Sequence, residues 1–132
     1  MTTTRTPITG IAIYPDKRVE EVELNDLKTY QDIVLGWIEA VRLKAGTMYV
    51  NEEFLLGQFG PEDYNSIASD VAGLGGRPDL MMTGILGPVV LVGHVDAEGW
   101  DEDVTEAGRK LVRRVGREAG MIPADFGLKG AS

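Results

Sequence analysis

The stretch "ILGPVVLVGHVD", residues 85–96, decides the fold. Val89, Val90, Leu91 and Val92 are apolar at four successive positions, so both faces of an extended chain are apolar there, and Gly and Pro punctuate the run. Branched side chains suit a pleated surface, and the segment reads as a buried central strand. A central strand needs a neighbour on each edge. Upstream, "ITGIAIYP" (8–15) alternates through Ile11 and Ile13 and stops at Pro15, "PDKR" carries turn chemistry, and "VEEVEL" (19–24) returns as a hairpin partner. In that second strand Val19, Glu21 and Glu23 share one face and Glu20, Val22 and Leu24 the other, a mixed pattern that suits a sheet edge. A second hairpin runs from "WIEAVRL" (37–43) through a turn at 44–46 into "TMYVNEE" (47–53). There Met48 and Val50, or Tyr49, face the core before a polar turn at 51–53.

Helical spacing fills the intervals. In "NDLKTYQDIVLG" (25–36) Asn25 or Asp26 is an N-cap, Leu27, Tyr30 and Val34 share a face, and Gly36 is placed as a C-cap. Pro61 with Glu62 and Asp63 opens a short helix over 61–71, with Tyr64, Ile67, Ala68 and Val71 on one side, and "GLGGRPD" (73–79) reads as a loop. The last helix is the best formed. Asp103 and Glu106 have capping-box spacing, Val104, Ala107, Leu111, Val112, Val115 and Ala119 form a stripe, and Arg109, Lys110, Arg113, Arg114 and Arg117 stand opposite. The order β-β-α-β-β-(α)-β-α predicts an α+β fold, a small mixed or antiparallel sheet of about five strands with two to three helices packed on one face. The final helix is expected to be long, amphipathic and basic.

A chain of 132 residues, 43% hydrophobic, is sized for one core, so residues 1–132 are expected to form a single domain with loosely held ends at 1–7 and 122–132. Cysteine is absent, which excludes disulfides and thiolate metal sites and favours a cytoplasmic setting. No apolar run is long enough to span a bilayer, so no membrane partner is expected. The net charge of −8 is uneven: residues 51–108 carry 12 acidic groups against Arg77 alone, whereas 109–132 carry 6 basic groups against 2 acidic. An acidic beginning and basic end also match a helix macrodipole, so local stability explains much of the basic tail.

The ordered set "YPD" after a hydrophobic strand, "VEEVEL", "GWIEAVRL", "MYVNEE", "NSIA" and "ILGPVVLVG" resembles the phage- and plasmid-borne domain of unknown function 3846 family over roughly residues 8–95. Gly57, Pro61, Asn65 and Ala68 stand where that family places a Gly-rich, Pro-containing segment and Asn-x-x-Ala. The segment "GLGGRPDLMMT" and the basic helix fall outside the pattern. The resemblance implies an accessory protein of a phage or mobile element and names no reaction.

Candidate chemistry is sparse. Glu52, Glu53, Glu62, Asp63, Asp96 and the sole His94 are possible hard-cation ligands, but no ligand spacing organises them, and neither a metal nor any other cofactor is expected. His94 has no Cys or nucleophile-elbow Ser to activate, and the glycines build no phosphate loop. A partner-binding surface at Arg109, Lys110, Arg113, Arg114 and Arg117 is the main expectation, with a protein favoured over nucleic acid because the chain as a whole repels phosphate. Self-association is compatible with such a surface. The leading reading is a non-enzymatic protein that binds a host or phage protein. One rival is a ligand-binding protein or enzyme with a pocket at Tyr49, Asn51, Glu53 and His94. Another is an acidic DNA mimic of the anti-restriction kind.

Overall fold

The structure is a computed structural model that describes residues 7–53 and 59–120. The expected loose ends lie outside the described residues, save for 7. Among the described residues five strands form one sheet: β1 (Ile8–Ile13), β2 (Val19–Leu24), β3 (Ile38–Leu43), β4 (Gly46–Asn51) and β5 (Val89–Val92), in the order β2-β1-β5-β4-β3 and antiparallel throughout. Two hairpins thus flank one inserted central strand. Four of its side chains, Val89, Val90, Leu91 and Val92, are fully buried. Each such aliphatic side chain contributes about 1.5–3 kcal/mol by leaving water.

Among the described residues four helices surround the sheet: α1 (Leu27–Val34), α2 (Ser66–Leu74), α3 (Pro78–Thr83) and α4 (Glu106–Glu118). They occupy both faces, which corrects the expectation of helices on one face. Ile11, Ile13, Val41, Leu43, Met48, Val50, Val89 and Leu91 meet α2, α3 and α4 on one side, while Tyr49, Val90, Val92 and Leu24 meet Tyr30 and Val34 of α1 on the other. The alternation of strand side chains requires this, because Val89 and Leu91 leave one face of β5 and Val90 and Val92 the opposite one. Met48 and Tyr49 are accordingly both core residues, on different sides.

The middle segment is more ordered than its composition suggests. Pro61–Asp63 makes one 3-10 turn, Asn65 rather than Pro61 starts α2, and "GLGGRPD" contains the end of α2 and the start of α3 instead of a plain loop. Asn65 is the reason: its carbonyl Oδ1 accepts from Ala68 N–H, and its Nδ2 donates to the carbonyls of Ile13 and Gly87, tying α2 to the sheet. In α4 the cap is Thr105, whose hydroxyl accepts from Gly108 N–H and donates to the Ala45 carbonyl. Asp103 instead accepts from Thr9 N–H. The buried stripe of α4 runs through Gly108, Val112, Val115 and Gly116, while Ala107 and Ala119 face out.

Candidate functional site

The end of α1 holds one of the two non-glycine residues, with Lys17, that have a positive φ among the described residues. Its C-cap is Leu35 in the left-handed region, φ 68° and ψ 35°, one residue before the glycine that the sequence pointed to. A branched apolar residue there carries backbone strain that Gly or Asn avoids. Asn51, at the end of β4 and 1% exposed, holds the turn in place: Nδ2 donates to the carbonyls of Val34 and Leu35, and Oδ1 accepts from Glu53 N–H. Gly36 follows at φ 157°, and a β-carbon on it would stand 2.7 Å from Asn51 Nδ2, so the close approach excludes a side chain.

This construction leaves Leu35 58% exposed and Trp37 64% exposed on either side of a residue with no side chain. With Gln31 and Asp32 they line an open depression of about 450 Å³. Trp37 leads straight into β3, an edge strand. The surface therefore joins two large unburied apolar groups to a strand with one side unpaired among the described residues.

Behind it, on the α1 face of the sheet, lies a buried polar cluster. Asp101, 7% exposed, accepts a hydrogen bond from the Tyr30 hydroxyl at 2.8 Å on one oxygen and from the Tyr49 hydroxyl at 2.8 Å on the other. The two rings meet edge to face, 5.2 Å between centroids. Burial first, then the hydrogen bond to Asp101, pushes both tyrosine pKa values well above the ordinary value of 10.0. These hydroxyls are donors fixed by a carboxylate. They act as a structural clamp between α1, β4 and the segment after β5.

The residues of the pocket reading do not converge. Tyr49 is in this clamp, Asn51 caps α1, Glu53 is exposed in the turn, and His94 is exposed beyond β5. Antiparallel pairing of Thr47 with Val92 puts His94 and Asn51 at opposite ends of the sheet, six residues of strand apart or about 20 Å. Two neighbouring strands deliver their C-terminal ends to one place only when they run parallel. Of the acidic candidates, Asp63 accepts from Gly60 N–H and Asp96 from Glu98 and Trp100 N–H, while Glu52, Glu53 and Glu62 face solvent. Among the described residues no three His, Asp or Glu side chains are grouped to hold a metal ion.

The structure also divides the five cations of α4. Arg109 pairs with Glu21 on β2 and is part-buried, and Arg114 lies 3.6 Å from Glu118. Arg113 points inward and is 7% exposed, its Nη1 3.8 Å from Glu106 and its Nε and Nη2 without a partner among the described residues. Lys110 and Arg117 are exposed with Arg114, so three of the five share solvent. Sequence reasoning missed Asp101, and it placed Gly36 at the end of α1 and Trp37 at the start of β3 without reading the Leu35 to Trp37 turn as an exposed surface. A Leu-Gly pair at a helix end, followed by a Trp at the start of an edge strand, was the available signal for the second.

A five-stranded antiparallel α+β sheet whose hairpins embrace one inserted central strand defines the class. The chain belongs to the family described as domain of unknown function (DUF3846), whose model matches residues 8–115. That match runs past residue 95 and takes in both α3 and most of α4, the two segments that had fallen outside the resemblance. No curated protein and no solved structure matches the chain. Among the described residues no helix is long and apolar enough to cross a membrane.

Proposed function

We propose that this chain is a non-enzymatic accessory protein of a phage or mobile element, that it acts in the host cytoplasm by binding a partner protein, and that the Leu35 to Trp37 turn is its contact. One observation carries the reading: a strained, left-handed Leu35 whose side chain is 58% exposed beside an exposed Trp37. Strain kept at a position where glycine would relieve it, in order to present apolar area to water, suits recognition better than folding. Aromatic anchors of this kind dominate protein interfaces. The outward cations Lys110, Arg114 and Arg117 are a weaker candidate, because Arg114 already has Glu118. The pocket reading needs four residues to meet that lie along the length of the sheet, and the DNA-mimic reading needs a continuous acidic surface.

A photoreactive amino acid at position 37, with one at Lys28 as the control, tests this in the host cell. The reading expects discrete protein adducts from position 37 that are missing from position 28 and fade when Leu35 is replaced by Gly. Identical adduct patterns at the two positions would sink it.

A further inference from the structure

We propose that the Leu35 to Trp37 surface and the β3 edge receive a second copy of this chain, two β3 strands pairing antiparallel about a two-fold axis at Ala40. The proposal rests on the protein-binding reading of that surface and names its occupant. The hydrogen bond from Glu52 N–H to the Trp37 carbonyl fixes which strand residues face β4. Residues 37, 39, 41 and 43 point their backbone groups at β4, so Ile38, Ala40 and Arg42 point theirs outward. Among the described residues nothing bonds to those outward groups. The open stretch ends at Lys44, whose N–H donates to the Gly75 carbonyl. Three outward residues remain, centred on Ala40, and a two-fold axis there pairs Ala40 with its own copy and Ile38 with Arg42 of the second copy.

Charge supports a second copy over an unrelated strand. The Trp37 end of β3 adjoins the acidic turn of Glu52 and Glu53, and the last turn of α1 contains no basic residue to balance its carbonyl end. The other end carries Arg42 and Lys44. Antiparallel pairing brings each basic end to the other copy's acidic end, twice per dimer. It also sets Trp37 opposite Leu43 of the second copy. A symmetric interface of this kind is closed and does not propagate.

The sequence has no cysteine, so one introduced thiol is diagnostic. Hydrogen-bonded strand partners lie about 5.5 Å apart at Cα, within disulfide reach. The expectation is that Ala40→Cys oxidises to a covalent dimer with native circular dichroism, whereas Glu39→Cys, out of register with its own copy, does not. In sedimentation equilibrium the unmodified chain should be a dimer. Ala40→Pro, which removes an N–H that β4 does not use, should weaken it on the order of tenfold or more, and Arg42→Glu should weaken it as well. A monomer at all concentrations with no Ala40→Cys cross-link overturns the inference. If position 37 still captures other proteins in that case, the protein-binding reading survives alone; equal cross-linking at 39 and 40 overturns the register.

Discussion

At the scale of single residues, Leu35 and Asn51 set the geometry of the α1 turn, and Tyr30, Tyr49 and Asp101 form the clamp behind it. Leu35 occupies a conformation that glycine enters freely, so Leu35→Gly should raise the midpoint of thermal unfolding, by the equivalent of about 0.5–1 kcal/mol, while reducing adducts from position 37. A fall in stability would show that the Leu35 side chain belongs to the fold after all. Asn51 bonds two carbonyls at the helix end from a fully buried site, and Asn51→Ala should cost about 1–3 kcal/mol in urea melts. The tyrosine clamp makes a prediction in pH. Tyr30 and Tyr49 have folded-state pKa values raised above 10.0, so the folded chain holds protons that the unfolded chain releases. Their contribution is complete below pH 10 and is lost as pH rises beyond it. An alkaline titration read by tyrosinate absorbance should therefore show Tyr30 and Tyr49 ionising together with unfolding, not ahead of it; early ionisation of either would contradict the clamp. These details escaped the sequence because Asp101 stands in a run, "WDED", in which any acid could have been the buried one.

At the scale of elements, the strands were legible and the helix faces only partly. Both hairpins fall where alternation and turn chemistry put them, and the mixed pattern of "VEEVEL" does mark a sheet edge. The C-terminal helix is legible from its spacing, but that spacing also puts Ala107 and Ala119 on the inward stripe, and both are exposed. Gly108 and Gly116 are buried instead, and a β-carbon on Gly108 would stand 3.4 Å from Leu91. Rotation of the stripe carries Arg113 inward, into a place where two of its nitrogens have no partner among the described residues. A buried, half-satisfied guanidinium costs free energy that an apolar side chain of similar length does not. Arg113→Met should leave stability unchanged or raise it by about 1–3 kcal/mol in chemical denaturation. A loss of the same size would mean that Arg113 has a bonding partner in solution.

At the scale of the whole molecule, β5 joins two packed layers. A strand apolar on both faces demands cover on both, so the two-sided core was implicit in "VVLV", yet the helix order alone gave no hint that α1 crosses to the opposite side from α2, α3 and α4. Because β5 contributes Val89 and Leu91 to one core and Val90 and Val92 to the other, neither layer can be lost without stripping the centre of the sheet. The segment after β5 adds to this coupling. Gly93 N–H donates to the Glu102 carbonyl, a β-carbon on Gly93 would stand 2.1 Å from the Asp103 carbonyl oxygen, and Asp101 bonds α1 while Val104 and Thr105 bond β1 and the β3–β4 turn. The two layers should consequently unfold as one unit. Trp37 reports on the α1 side and Trp100 on the segment after β5, so single-tryptophan variants, Trp37→Phe and Trp100→Phe, separate the two signals. Urea transitions followed by each fluorescence signal and by far-ultraviolet circular dichroism should coincide, with a slope of about 1–3 kcal/mol per molar. Leu91→Ala, which opens a void between β5 and α4, should move all three together by about 2–5 kcal/mol. If the Trp37 signal kept its midpoint while the other two shifted, the α1 layer would be folding by itself, and the central strand would not be the joint that its burial on both faces makes it.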